Sequence, residues 1–196
     1  MANKIRNIAP PNLPVAPVEY ERRYQDQFAN VLRLFFNLVA NAINAPKPHG
    51  SFYDTTTQTN PVASAVNLMK VNSIYDDAET AFSVSKDTNR IYVAETAVYN
   101  IQFSAQLDKI SGGTAFIFIW LRVNGVNVPN SASQIRIQGN NAEIVAAWNY
   151  LHEFNVGDYF EIMWSTDDTS CQILAAAAST PVPGIPSVIL TVTNNI

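Results

Sequence analysis

Between residues 99 and 107 apolar and polar side chains alternate without a break: Tyr99, Ile101, Phe103, Ala105 and Leu107 against Asn100, Gln102, Ser104 and Gln106. Successive side chains of a strand point to opposite faces, so the pattern predicts a β-strand with one face on a core and one polar face. Runs of related character are read as strands at Ser51–Thr59, Ala65–Val71, Phe82–Ser85, Arg90–Ala94, Gln134–Gln138, Glu143–Phe154, Asp158–Ser165 and Ser187–Thr193. Turn-forming stretches divide them, among them Tyr75-Asp-Asp77, Lys86–Asn89, Ser111-Gly-Gly113 and Asn155-Val-Gly157, and Asn124-Gly125 is a strong tight-turn signal. Ala175–Ala178 and the Ser179–Gly184 stretch after it fit a loop and a close backbone approach equally well.

Thr114–Val123 breaks the alternation, because Phe116, Phe118 and Trp120 fall on one face and Ile117, Ile119 and Leu121 on the other. A strand apolar on both faces needs cover on both. Trp148 and Tyr150 likewise stand opposite Val145, Ala147 and Leu151. About nine evenly spaced strands after residue 50, with no second helix, predict an all-β antiparallel jelly-roll sandwich over residues 50–196.

The first 49 residues have a different period. Val18–Ala45 predicts one helix, with Glu19 and Glu21 suited to its first turn and Pro46 and Pro48 stopping it. Phe28, Leu32, Phe35, Val39 and Ala42 form a stripe at spacings of four and three, widened by Val31, Leu34, Leu38 and Ile43. Such a helix packs on its own domain or on copies of itself. A Pro-rich arm before it and a Pro-Lys-Pro-His-Gly hinge after it favour self-association. The arm, residues 1–17, carries Pro10, Pro11, Pro14 and Pro17 and is expected to be extended, either as a tail or as a strap ordered on a neighbouring subunit. The expected organisation is arm 1–17, helix and hinge 18–49 as anchor and oligomeriser, and head 50–196.

Composition narrows the classes. Charged residues make up 14% of the 196, against about 25% in ordinary soluble domains, so partners are expected to cover much of the surface. The formal charge of −4 and the 12 scattered Lys and Arg argue against nucleic acid as a partner. Cys171 is alone, which excludes an intrachain disulfide. The first residues lack the apolar run of a signal peptide and no stretch reaches the length of a membrane span, so neither export nor membrane insertion is expected.

Gly50–Thr59, Tyr99–Ser104, Trp120–Gly125 and Gly157–Met163 together resemble, in that order, the jelly-roll head of the tumour necrosis factor and complement globular-head superfamily. With Leu32–Phe36, Gly50–Asp54 and Pro186–Leu190 in view, the chain resembles small virion proteins of tailed bacteriophages, cyanophages especially. That resemblance implies a homotrimer attached to capsid or tail by its arm or helix. The long repetitive stalk of a tail-fibre shaft is absent from the sequence, and no glycan-pocket motif carries over. Three heads around an axis would also cover the second apolar face of the inner strands.

No chemical motif competes with this reading. His49, His152 and Cys171 do not make a zinc site in one chain. Asp76-Asp77 and Asp167-Asp168 offer carboxylates of the kind calcium takes, as it does in complement-type relatives, but the regular calcium loop is missing and solvated turns explain them. Glu143, Glu153 and Glu161 lie on strands without the signature of a hydrolase, and no nucleophile elbow, phosphate loop or dinucleotide fingerprint occurs. The expectation is a non-enzymatic virion structural protein without metal or cofactor, assembled in the host cytoplasm and bound to other virion proteins through residues 1–49. Its oligomer and anchor residues are expected to be Phe28, Leu32, Phe35, Val39, Tyr99, Phe118, Trp120, Trp148 and Tyr150. The alternative is a receptor-binding head that grips host surface glycans through outer loops containing Gly112, Asn130, Asp167 and Asp168.

Overall fold

A computed structural model describes residues 10–44, 49–75, 82–85 and 89–194, with the backbone alone at 44 and 82–85. The chain divides into two compact units, Met1–Lys47 and Pro48–Ile196.

The first unit holds helix α1, Arg22–Asn44. It starts later than the sequence predicts. The Glu21 carbonyl accepts from the Tyr24 and Gln25 amides, which makes Glu21 the cap, and no acid stands in the first turn. At 100° per residue the apolar side chains from Leu34 round to Phe36 cover an arc of about 200°, twice the width of a single core-facing stripe. Phe28, Leu32, Phe35 and Val39, at its centre, are half-buried, whereas Leu34, Phe36, Leu38 and Ile43, along its flanks, are exposed.

The second unit is a sandwich of two antiparallel sheets. Sheet A contains β1 (His49–Asp54), β2 (Gln58–Thr59), β4 (Ser73–Ile74), β7 (Ala97–Lys109), β11 (Ala142–Phe154), β13 (Cys171–Ile173) and β14 (Val188–Asn194). Sheet B contains β3 (Asn67–Leu68), β5 (Phe82–Ser85), β6 (Arg90–Val93), β8 (Thr114–Val123), β9 (Val126–Asn127), β10 (Ser133–Gln138) and β12 (Tyr159–Thr166). From β6 to β8 and again from β10 to β13 the chain crosses between the sheets at each step, so many neighbours within a sheet are distant in sequence: β14 lies between β1 and β7, and β12 between β6 and β8. This is the jelly-roll arrangement.

The alternating strand is the axis of sheet A. β7 pairs with β11 over thirteen residues, from Ala97↔Phe154 to Lys109↔Ala142. On its other side it pairs with β14 from Tyr99↔Asn194 to Ala105↔Val188, and then with β13 at Leu107–Lys109. Tyr99, Ile101, Phe103, Ala105 and Leu107 are buried as the alternation predicts. They meet Ile117, Ile119 and Leu121 of β8 and Phe160, Ile162 and Trp164 of β12 in one core. Asn124 and Gly125 both have positive φ, 50° and 78°, in the two-residue turn joining β8 to β9. A tight hairpin demands that geometry, and Asn-Gly adopts it at least cost.

Two expected strands are shorter than the sequence suggests. β1 ends at Asp54, whose carboxylate accepts from the Thr56 amide at 2.7 Å and turns the chain before β2 resumes. Ala65–Val71 keeps only Asn67–Leu68 as strand. At Lys70 the Gln58 side chain takes the partner's place, accepting from the Lys70 amide at 2.8 Å and donating to its carbonyl at 3.0 Å. β4, β9 and β13 are additions to the sequence reading. Residues 175–184 resolve as a loop with two isolated bridges, Ala176↔Ile185 and Ser179↔Val182.

Candidate assembly and binding surfaces

β11 is the last strand of sheet A and β10 the last of sheet B, so inward-facing side chains of β11 lie at the open side of the sandwich. Trp148 and Tyr150 stand there, packed on the core yet only half-buried. Phe103 holds both, with its ring 4.6 Å from Trp148 in an edge contact and 6.1 Å from Tyr150 in a stacked one. The Trp148 indole Nε1 and the Tyr150 hydroxyl are closed off from solvent and make no well-formed hydrogen bond among the described residues, as is true of Trp164 Nε1 in the core and Arg90 Nε. Burial pushes the Tyr150 hydroxyl above its ordinary value, and the neighbouring Trp148 N–H pulls weakly against that. Two large rings left half-open beside each other at a sheet edge mark a surface that gains from a further contact. On the opposite face of β11, Val145 and Leu151 are 57% and 60% exposed and flank a shallow depression floored by Ser104, Ala147 and Thr191.

β8 places the other expected contact residues on the far side of the molecule. Ile117, Ile119 and Leu121 face the core, and Phe116, Phe118 and Trp120 face outward from sheet B. Phe118 is 36% exposed and the other two are half-buried. The Trp120 indole donates to Asn127 Oδ1 at 2.8 Å, which fixes its ring plane.

Tyr99 does not belong to any such surface. It is fully buried, its hydroxyl donates to the Glu95 carbonyl at 2.9 Å, and its ring meets Phe154 at 5.9 Å. Its place in the inward phase of β7, beside Ile101, removes it from the reach of a neighbour.

The four loop residues expected to share a ligand do not converge. Gly112 lies in the exposed turn before β8, where an added side chain would meet nothing within 4 Å. Asn130, exposed with φ 60°, sits at the far end of that strand, where Ser131 Oγ accepts from the Leu121 amide. Some seven strand residues intervene, roughly 20 Å. Asp167 and Asp168 are at the Gly112 end but are spent within the chain. Asp167 Oδ1 accepts from the Phe116 amide at 2.8 Å. Asp168 Oδ2 pairs with Lys109 Nζ at 2.6 Å and Oδ1 accepts from the Ser170 amide at 2.8 Å. The Lys109 ammonium, ahead of the Ser170 hydrogen bonds, holds the Asp168 carboxyl down at about 2. Asp76 and Asp77 lie outside the described residues.

Lys109 escaped the sequence reading, and Glu161 was weighed there only as a strand acid. Lys109 is fully buried, with its Nζ also 2.9 Å from Ser170 Oγ and 3.2 Å from Ser111 Oγ. Glu161 is buried on the outer side of β12, where Arg122 Nε donates to its Oε2 at 2.7 Å and Arg90 Nε lies 3.5 Å from its Oε1. The Arg90 guanidinium rests 4.3 Å over the Tyr159 ring.

Comparison with known proteins adds a likeness of shape. No protein-family model matches the chain, and no curated protein matches it. Among solved structures 243 chains match. One is the globular domain of zebrafish complement 1qA protein, 15% identical, over 77% of this chain and 98% of that one, with a TM-score of 0.43. The jelly-roll assignment rests on the strand order and register given above.

Proposed function

We propose that this chain is a non-enzymatic structural protein of a bacteriophage virion: a homotrimer of jelly-roll heads joined to capsid or tail through residues 1–49. The observation that carries the association half of this reading is the open β10/β11 edge, where the Trp148 and Tyr150 rings are packed on the core yet only half-buried. A neighbouring copy that covers this edge takes the rest of both rings out of water. The helix gives further support. A two-stranded seam needs only a narrow apolar stripe, whereas the arc of α1 is wide enough to meet two neighbours at once. Phe28, Leu32, Phe35 and Val39 then form the centre of the contact and Leu34 and Leu38 its flank. The arm, with Leu13 and Val15 exposed between its prolines, is the segment that engages another virion protein.

Light scattering on the full chain tests this. A species of three times the 21.6 kDa chain mass is the expected result, and a monomer at micromolar concentration overturns it. The same measurement on a chain beginning at Gly50 separates the contacts. A trimer there locates the driving interface in the head and frees residues 1–49 for attachment, and loss of the trimer makes α1 the oligomeriser.

A further inference from the structure

The outer face of sheet B, where the sequence reading expected Phe118 and Trp120 to meet a subunit, lies away from the β10/β11 edge that carries the proposed trimer. Along β8 the outward positions are Phe116, Phe118, Trp120 and Arg122, three partly exposed aromatic rings in line with a guanidinium at one end. Alternate residues of a strand are about 6.6 Å apart, so the line is about 20 Å long. β10 runs beside it and sets Gln134 opposite Phe118 and Arg136 opposite Phe116, both exposed.

The charge on this face is positive on balance, three arginines against Glu161 and, at the Phe116 end, Asp167. All three arginines after residue 50, Arg90, Arg122 and Arg136, stand on sheet B. Its described strands contain one acid, Glu161, which is buried and already shared by two of them. Arg122 spends its Nε on Glu161, and its Nη amines make no hydrogen bond among the described residues. Arg136 makes no ion pair among the described residues, its Nη2 donates to Gln138 Oε1 at 2.8 Å, and the Asp167 carboxylate stands across Phe116 from it. A chain with a net charge of −4 therefore presents a face that is aromatic, flat and locally positive.

We infer that this face is a binding track for an extended, carboxylate-bearing polysaccharide. The C–H face of a sugar ring stacks on an aromatic ring, planar amides such as Gln134 bond adjacent hydroxyls, and a guanidinium takes a carboxylate in two parallel bonds. A linear ligand suits a line of rings better than a closed pocket does. Single-stranded nucleic acid also stacks on aromatic tracks, but it needs cations spread along a phosphate chain, and the other surfaces of this acidic chain oppose it. The inference does not depend on the trimer or on a virion role.

The test is calorimetric titration of the full chain with hexameric oligogalacturonate and oligosialate, with maltohexaose and oligothymidylate as comparisons, while tryptophan fluorescence is followed. Saturable binding of at least one acidic sugar is expected, with a change in tryptophan emission and affinity falling as salt rises. Phe118→Ser and Arg136→Gln should each weaken binding about tenfold, with circular dichroism and solution mass unchanged. No binding of either acidic sugar, equal binding of maltohexaose, tighter binding of oligothymidylate, or binding indifferent to both substitutions overturns the proposal.

Discussion

Lys109 and Glu161 are both buried charges, and they are neutralised in opposite ways. Lys109 sits at the end of β7 with one carboxylate and two hydroxyls about its ammonium, a closed set in which charge is matched one to one. Glu161 lies on the outer side of β12 against two arginines, so the group as a whole keeps a positive charge at the surface. A matched pair serves the fold, because it ties β7 to the loop after β12. An unmatched one leaves charge over for something outside the chain. The difference lies in what each removal strands, and it can be measured.

The largest effect is expected at the matched pair. Asp168→Ala leaves Lys109 fully buried with no counter-charge and should cost about 3–5 kcal/mol in denaturant unfolding. Lys109→Met leaves Asp168, whose side chain is 30% exposed and can be hydrated, so it should cost clearly less; equal losses would show that packing rather than charge decides this end. The same pair sets an acid limit. Asp168 is depressed from 3.8 to about 2, so its contribution is complete above pH 4 and is lost as pH falls through 2. Unfolding followed against pH should show a slope in that window that is missing in Lys109→Met.

At the unmatched cluster, Arg122→Ala should cost about 1–2 kcal/mol, since Arg90 still faces Glu161. A loss as large as that of Asp168→Ala would mean that Arg90 contributes nothing. The smallest effect is expected at the open edge. Tyr150→Phe removes a hydroxyl whose one near polar neighbour among the described residues is the Trp148 indole, so the stability of an isolated protomer should change by less than about 1 kcal/mol. If a second copy packs over this edge, removal of the whole ring by Tyr150→Ser shifts the trimer to lower mass on dilution while leaving the circular dichroism spectrum intact.

Much of the sandwich was legible because strands of eight or more residues write their burial into the sequence twice per turn of the pleat. Thr114–Val123 needed no correction, and β7 and β11 are longer than predicted by only a few residues. What escaped was structure made by side chains or by very short pairing. β13 is three residues long and gains its place from Leu107–Lys109, not from any pattern of its own. Gln58 replaces a strand with an amide, which no periodicity records. The sites show the same division. Trp148 and Tyr150 share one face of β11 opposite Val145, Ala147 and Leu151, as the phase of the strand predicts. Lys109 had a signal that went unread: it continues the inward series Tyr99, Ile101, Phe103, Ala105, Leu107, and a lysine in that phase must carry its counter-charge inside with it. The loop carboxylates misled because a turn acid looks the same in sequence whether it faces solvent or ties down an amide.

The position of β14 sets a timetable for synthesis. β1 and β7 are made early, yet neither bonds the other, since Val188–Asn194 fills the space between them along both edges. Until that segment leaves the ribosome, sheet A is two separate pieces with exposed edges, each open to pairing with another nascent chain. Contacts closed across some ninety residues also make for slow folding. A cell producing many copies side by side would therefore find its risk of mispairing concentrated in the interval between the making of β7 and the arrival of β14.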